Sequence, residues 1–356
     1  MPILPPMAPG SGSRIRWDVV GALARRWLLP IWFAVLSAGT LFLLGLDAIG
    51  VDARIYFRGS QAWLQGRDPW ETFASYTVPY GTNYYHYAGL PSTTVLLAPG
   101  ALLPEGVFVV IWLALTAASA VYVVRRCGLP AWWLLFPPLA EGMWSGNPGI
   151  VLLAMLLSGR TILEGLAPIL KVYAAGPLAL LARGRSFALA LGLGLATIII
   201  APALWWSYLQ GLPRISDRLL AESAGGYGAN QNPLLFVVTA VAVAALFLID
   251  RRAAAFLAVP ALWPVSEFHY SIFAMPVATP FLGALLAIPI RGLPAVAICL
   301  YVTVRFAARR AAASRTGERG PAGSWARLVS ALDEPVGAPD LRTEPGLALP
   351  RPARTA

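Results

Sequence analysis

The chain is a succession of long uncharged apolar runs separated by short polar breaks. The first run, Trp27 to Leu46, holds 20 uncharged residues, enough at about 1.5 Å per residue to cross the ~30 Å hydrocarbon core of a bilayer. It is too long for the core of a signal peptide and has no clear small-residue cleavage site, so it reads as retained. Further apolar runs occupy 87–104, 106–124, 128–140, 142–159, 165–182, 186–213, 231–249, 253–266, 268–290 and 292–304. Several are short, and prolines such as Pro99, Pro148, Pro202, Pro264 and Pro280 break them. Broken helices occur in membranes where they pack in protein or line a wet cavity. The pattern predicts an all-α polytopic membrane protein of roughly nine to twelve transmembrane or re-entrant helices.

The polar breaks divide the chain. Residues 1–26 are rich in Pro, Gly and Ser and then basic, a cytoplasmic segment before a membrane domain over 27–310. Two longer polar stretches, about 47–90 and 209–232, read as outer loops. In the first, Arg54 to Leu64 has Ile55, Ala62 and Trp63 on one stripe and Arg54, Arg58 and Gln61 off it. That spacing predicts a short amphipathic helix lying at the membrane surface. Gly66, Asp68 and Pro69 end it, and an aromatic loop follows with Trp70, Phe73, Tyr76, Tyr80, Tyr84, Tyr85, His86 and Tyr87. From Ala311 to Ala356 the composition is Ala, Pro, Gly and Arg without periodicity, which predicts a disordered cytoplasmic tail.

Composition sharpens this picture. The chain is 58% hydrophobic and only 12% charged, with mean hydropathy +0.65, whereas soluble domains are about a quarter charged. The net charge of +10 sits in arginines that flank the apolar runs, so it signals topology and excludes a nucleic-acid footprint. Arg14, Arg16, Arg25 and Arg26 put the N-terminus in the cytoplasm, which leaves Asp47 and Asp52 outside. Arg183, Arg185, Arg251, Arg252, Arg309 and Arg310 read as inside. If every run crossed, Arg125 and Arg126 would fall outside, against the bias; the paired markers outweigh the count of runs. The run after Arg252 then returns the chain outward, so Glu267 and His269 emerge on the face of Asp52. Cys127 and Cys299 are far apart and read as free thiols, with neither a disulfide framework nor a metal site.

Twenty-six arginines stand against a single lysine, a bias of high-GC bacterial genomes. That lysine, Lys171, lies inside an apolar segment. An unpaired ammonium in hydrocarbon costs at least about 2.5 kcal/mol, so it must face a cavity, a phosphate, or a carboxylate such as Glu164 or Glu141. Asp52, at the membrane–water boundary, is placed to take a proton from a hydroxyl or to cap an interfacial helix. Asp47 is its competitor.

These residues carry a resemblance. Asp52-x-x-x-Tyr56, Ala62 in a short helix and Gly66-x-x-Pro69-Trp70 resemble the first outer loop of glycosyltransferase family 87, polyprenol-phosphate-mannose-dependent mannosyltransferases of the GT-C fold. Lys171, preceded by Gly165 and followed by Pro177, is similar to the family's lysine segment, with the proline displaced. Pro264, Ser266 and His269 match its Pro-x-Ser-His segment, with Tyr270 where a second histidine stands. Asn230-Gln231-Asn232 resembles its Asn-Gln-Ser. Gly146-Asn147-Pro148-Gly149 departs from its Gly-Gln-x-Asn at both amides.

The resemblance implies a bacterial plasma-membrane enzyme with its active site on the outer side. It would transfer a sugar, mannose first among candidates, with inversion, from a polyprenyl-phosphate donor to a hydroxyl of a glycolipid or glycan. Asp52 would be the base, and Lys171 and His269 would hold the donor phosphate. Asn230, Gln231, Glu267, Trp63, Tyr84 and Tyr85 are candidates for contacting sugar or acceptor. For Asn232, capping the next helix is an equal reading. No metal or cofactor is called for. Two other readings stay open: a transporter or flippase of a lipid-linked sugar, and an inactive GT-C-like binding protein.

Overall fold

The computed structural model describes residues 17–78, 81–222, 232–264 and 266–315. Helices dominate. In chain order they are α1 (Trp17–Leu44), α2 (Val51–Leu64), α3 (Pro91–Leu97), α4 (Glu105–Arg126), α5 (Pro137–Ser145), α6 (Pro148–Leu157), α7 (Thr161–Leu170), α8 (Ala175–Leu180), α9 (Gly184–Ile200), α10 (Pro202–Glu222), α11 (Pro233–Ile249), α12 (Arg251–Leu262), α13 (Pro280–Leu286) and α14 (Leu293–Arg315). A 3-10 helix spans Phe268–Val277. Asn230 and Gln231 lie outside the described residues.

Among the described residues, two helices are long and apolar enough to cross a membrane: Trp27–Leu44 within α1, and α4. A third crossing arises if α9 and α10, bent by 102° at Ala201, count together. The other apolar stretches form shorter helices, fewer full spans than the runs suggest. The cause is the placement of proline. Pro91, Pro137, Pro148, Pro233 and Pro280 each occupy the first turn of a helix, where the missing N–H costs nothing. They start short helices where the runs had looked continuous. The run 87–104 is thus only α3 and a turn.

That correction resolves the arginine conflict. With no crossing between α2 and α4, α4 starts beside α2, where Arg58 Nη2 pairs with Glu105 Oε1 at 3.1 Å. It ends at Arg125 and Arg126 on the opposite side. Arg126 Nε donates to Leu157 O at 3.2 Å and Arg183 Nη1 to Leu156 O at 2.8 Å, both at the C-terminus of α6. Arg251 Nε donates to Leu180 O at the end of α8, and Arg305 pairs with Asp250 at 3.0 Å. These arginines share one end of the molecule.

The opposite end is built on α2. This helix does not lie flat with one apolar stripe: Val51, Ala53, Ile55, Tyr56, Phe57, Gly59, Ser60 and Ala62 are all buried. One face packs with Trp70, Ala74, Tyr76 and Tyr87, the other with Ala101, Phe108 and Trp112. Only Arg54, Arg58 and Gln61 retain a polar strip. The aromatic loop is a hairpin, β1 (Phe73–Val78) paired antiparallel with β2 (Gly81–His86), with Ala74 opposite Tyr85 and Tyr76 opposite Asn83. Ala74 and Tyr76 point inward while Phe73, Ser75 and Thr77 are exposed, the period of two that half-buried strands require.

Tyr87 locks the hairpin to α2. Its hydroxyl meets Thr94 Oγ1 at 2.8 Å, and its ring lies where a Cβ on Gly59 would stand 2.6 Å away. The stretch 209–222, expected as part of an outer loop, is the second half of α10. It lies across this end, with Arg214 pairing with Asp68 and Glu71, and Arg218 Nη1 donating to Trp70 O at 2.9 Å. At the C-terminus α14 carries helix to Arg315, past the expected start of the tail at 311.

Candidate functional site

The site begins at a joint between two helices. Gly146 ends α5 in the left-handed conformation, φ +75°, where a side chain would be strained. Asn147 caps α6 by accepting from Gly149 N–H at 2.8 Å, and Pro148 takes the first position. The cap fixes the Asn147 side chain. With Oδ1 committed to the cap, its Nδ2 faces two neighbours at 2.8 Å each, Asp52 Oδ2 and His269 Nε2. Ser145 Oγ also donates to Asp52 Oδ2 at 2.8 Å.

Asp52 stands in the first turn of α2, which Gly50 begins without a side-chain cap. It is therefore not the helix cap that its position allowed. A carboxylate in a first turn is favoured by the helix dipole. Both donors bind Oδ2, and Asp52 lines a cleft of about 60 Å³ with Tyr56, Tyr85, Asn147, Lys171, Glu267 and Tyr270, among others. That volume is well below the ~300–1,000 Å³ of most small-molecule sites.

Lys171 reaches the cleft because α7 stops there. Its backbone is extended, φ −152° and ψ 122°, between α7 and the next turn. Its Nζ lies 5.5 Å from the centre of the Tyr56 ring, a distance at which the ring face attracts a cation. The carboxylates weighed as its partners are engaged elsewhere. Glu164 is buried and bonded to Arg183 and to Ser186 Oγ; Glu141 faces His269. Among the described residues neither Asp52 nor Lys171 forms an ion pair.

His269 is 3% exposed and sits one layer behind the cleft. Its Nε2 is 2.8 Å from Asn147 Nδ2 and 3.2 Å from Glu267 Oε2, and its Nδ1 is 3.8 Å from Glu141 Oε1. Nε2 therefore meets the Asn147 amide, which can only donate toward it, and a Glu267 oxygen, which can only accept. Burial opposes the protonated ring, but the carboxylates Glu141 and Glu267 favour it and outweigh that burial, so the imidazole pKa is raised to about 9. His269 thus braces Asn147, and the phosphate contact expected of it does not match its position. Glu267, in the non-helical link before the 3-10 helix, lines the cleft. Burial raises its carboxyl above the usual range, with Asp52 adding and His269 and Lys171 opposing.

The remaining expected residues divide. Tyr85 lines the cleft, stacked on Tyr76 at 5.6 Å. Burial, then the nearby Glu267, push its phenol well above the ordinary tyrosine range, so it is a neutral donor. Tyr84 is 53% exposed on the outer face of the hairpin, against Phe73, and does not reach the cleft. Trp63 packs at the edge of the α2 aromatic cluster, also away from it. Asp47 is exposed, and its carbonyl accepts from Arg54. Asn232 Oδ1 accepts from Leu235 N–H at 3.0 Å, the capping role.

The residues missed were Ser145, Asn147, Tyr56 and Tyr270. Asn147 carried a signal, since Gly-Asn-Pro between two apolar runs spells a helix end, a cap and a helix start. No family model matches the chain, and no curated protein and no solved structure is detectably similar to it.

Proposed function

We propose that the chain is a GT-C-type membrane glycosyltransferase that moves a sugar, mannose first among candidates, from a polyprenyl-phosphate donor to a hydroxyl of a glycolipid or glycan on the outer face of the membrane. The observation that carries this reading is one cleft lined by a carboxylate and an ammonium, Asp52 and Lys171, neither in an ion pair among the described residues. Unpaired charge is costly in a membrane protein and marks function there. As the acceptor hydroxyl attacks the anomeric carbon, Asp52 Oδ1 takes its proton. The bond from that carbon to the phosphate oxygen breaks on the opposite face, and the phosphate leaves with the electron pair. Lys171 meets the growing charge, and the neutral Tyr85 hydroxyl is a further donor. Two residues on from Lys171, Tyr173 opens an apolar groove of about 210 Å³ between α8 and α12, walled by Pro177, Ala258, Leu262 and Trp263. It offers the prenyl chain a path away from the phosphate.

The test is the purified full chain in detergent with a radiolabelled polyprenyl-phosphate sugar and a glycolipid acceptor. Transfer of label supports the reading. Binding without transfer sinks it in favour of an inactive fold, and uptake into vesicles without transfer in favour of a transporter.

A further inference from the structure

A second groove lies away from this cleft, on the outer surface between α4, α6 and α7. It has a volume of about 660 Å³ and is lined by Leu115, Ala118, Tyr122, Val151, Ala154 and Leu163, among others, ending at Ser158 and Arg160. Its wall is one of the two helices long and apolar enough to cross a membrane. Along α4 the groove starts near the middle of the helix, at Leu115, and runs toward the Arg125–Arg126 end. It therefore occupies the half of the crossing that lies in one leaflet, about 10 Å or more of helix at 1.5 Å per residue. A groove of that depth and lining suits acyl chains.

Its closed end is cationic. Arg160 and Arg125 are exposed and form no ion pair among the described residues, and Arg126 leans over the carbonyl of Leu157 beside Ser158. Arg160 also immediately precedes α7, a ten-residue helix that no side chain caps. Its first amide groups add a positive dipole end to the guanidinium groups. Glu164, the nearest carboxylate in sequence, is buried on Arg183 and Ser186.

We infer that this groove is a binding site for an anionic glycerophospholipid of the leaflet at the arginine end, with its acyl chains along α4 and α6 and its phosphate at Arg160 and Arg126. Membrane-surface arginines attract anionic headgroups, and the chains replace the packing that the groove leaves open. The charge selects the headgroup, and the apolar walls hold it in register.

The experiment is native mass spectrometry of the full chain in detergent, titrated with palmitoyl-oleoyl phosphatidylglycerol or with the matched phosphatidylcholine. Wild-type protein should retain the glycerol lipid roughly 25-fold better, about fivefold for each of the two arginines. Arg160→Gln should lower that preference roughly fivefold, and Arg126→Gln with Arg160→Gln should abolish it. Arg160→Lys should restore most of it. Ala154→Phe, which fills the groove and leaves the arginines in place, should reduce retention of both lipids. Equal retention of the two lipids by wild-type protein overturns the inference. So does a preference that survives the double arginine variant, or retention that is unchanged by Ala154→Phe, since the site would then lie elsewhere. Arg160 is exposed and bears no packing, so its loss leaves the fold readable.

Discussion

At the arginine end, Glu164 and Asp250 are each matched by a cation, Arg183 and Arg305, while Arg126 and Arg251 close on backbone carbonyls of helix ends. At the cleft, Asp52 is held by two neutral donors, Ser145 and Asn147, and Lys171 faces a tyrosine ring. The first arrangement matches each of these two carboxylates with a cation of the chain and anchors helix ends. The second leaves an anion and a cation on one space without joining them. Even the arginines near the cleft belong to the first kind: Arg58 is taken by Glu105, and Arg214 by Asp68 and Glu71. Glu164 and Asp250 find a cation on the chain; among the described residues Asp52 does not.

The contrast has consequences that experiments can break. The largest is all or none. In a background with Cys127→Ala and Cys299→Ala, a cysteine in place of the exposed Ser75 on the hairpin should react with a membrane-impermeant maleimide in intact cells. One in place of Arg185, at the other end, should react only after lysis. Labelling of both in intact cells would remove the assignment of the two ends to opposite faces.

Next in size is the carboxylate. Asp52→Asn should lower sugar transfer by about 100- to 10,000-fold, the usual cost of losing a general base, with the folded helix content unchanged by circular dichroism. Asp47→Asn should leave the rate alone. The reverse result would move the base to Asp47 and detach function from the cleft.

At the arginine end the same kind of change should act on stability instead. Glu164→Gln removes the charge that holds Arg183 and weakens the Ser186 bond. An expected loss of about 1.5–3 kcal/mol, read by denaturant or thermal unfolding in detergent, should come with unaltered transfer per folded molecule. A selective loss of transfer would show that the two ends are not separable.

Gly59→Ala should cost about 1–3 kcal/mol by driving a methyl group into the Tyr87 ring. Gly59→Ala with Tyr87→Leu should recover part of that loss. The smallest effect belongs to Arg58→Ala at the half-exposed Glu105 pair, about 0.2–1 kcal/mol and weaker in high salt.

How much of this was legible depends on what each residue does. Lys171 and Asp52 stand out in sequence because a lone charge beside hydrocarbon has few cheap explanations. The helical character was readable because apolar length dominates composition. The number of crossings was not, because prolines in first turns such as Pro148 and Pro233 look like interruptions until the chain geometry shows them starting helices. The hairpin was hidden by its own aromatics: in Phe73–Val78 the exposed Phe73 and the buried Ala74 invert the hydrophobic order that strand alternation normally gives. Asn147 reads as a cap in any chain; that its remaining amide hydrogens reach across 95 and 122 residues to Asp52 and His269 is a property of the tertiary packing alone.

That one amide ties together quantities usually treated as separate. It closes the first turn of α6, steadies Asp52 Oδ2 and lies 2.8 Å from His269 Nε2. By thermodynamic linkage, a ligand that engages Asp52 must then be felt at the start of α6, and loosening of α6 must change how firmly Asp52 is held. Solvent exchange of the Gly149 amide is therefore a remote gauge of a carboxylate on another helix. An evolutionary change at position 147 cannot tune the helix, the carboxylate or the histidine one at a time.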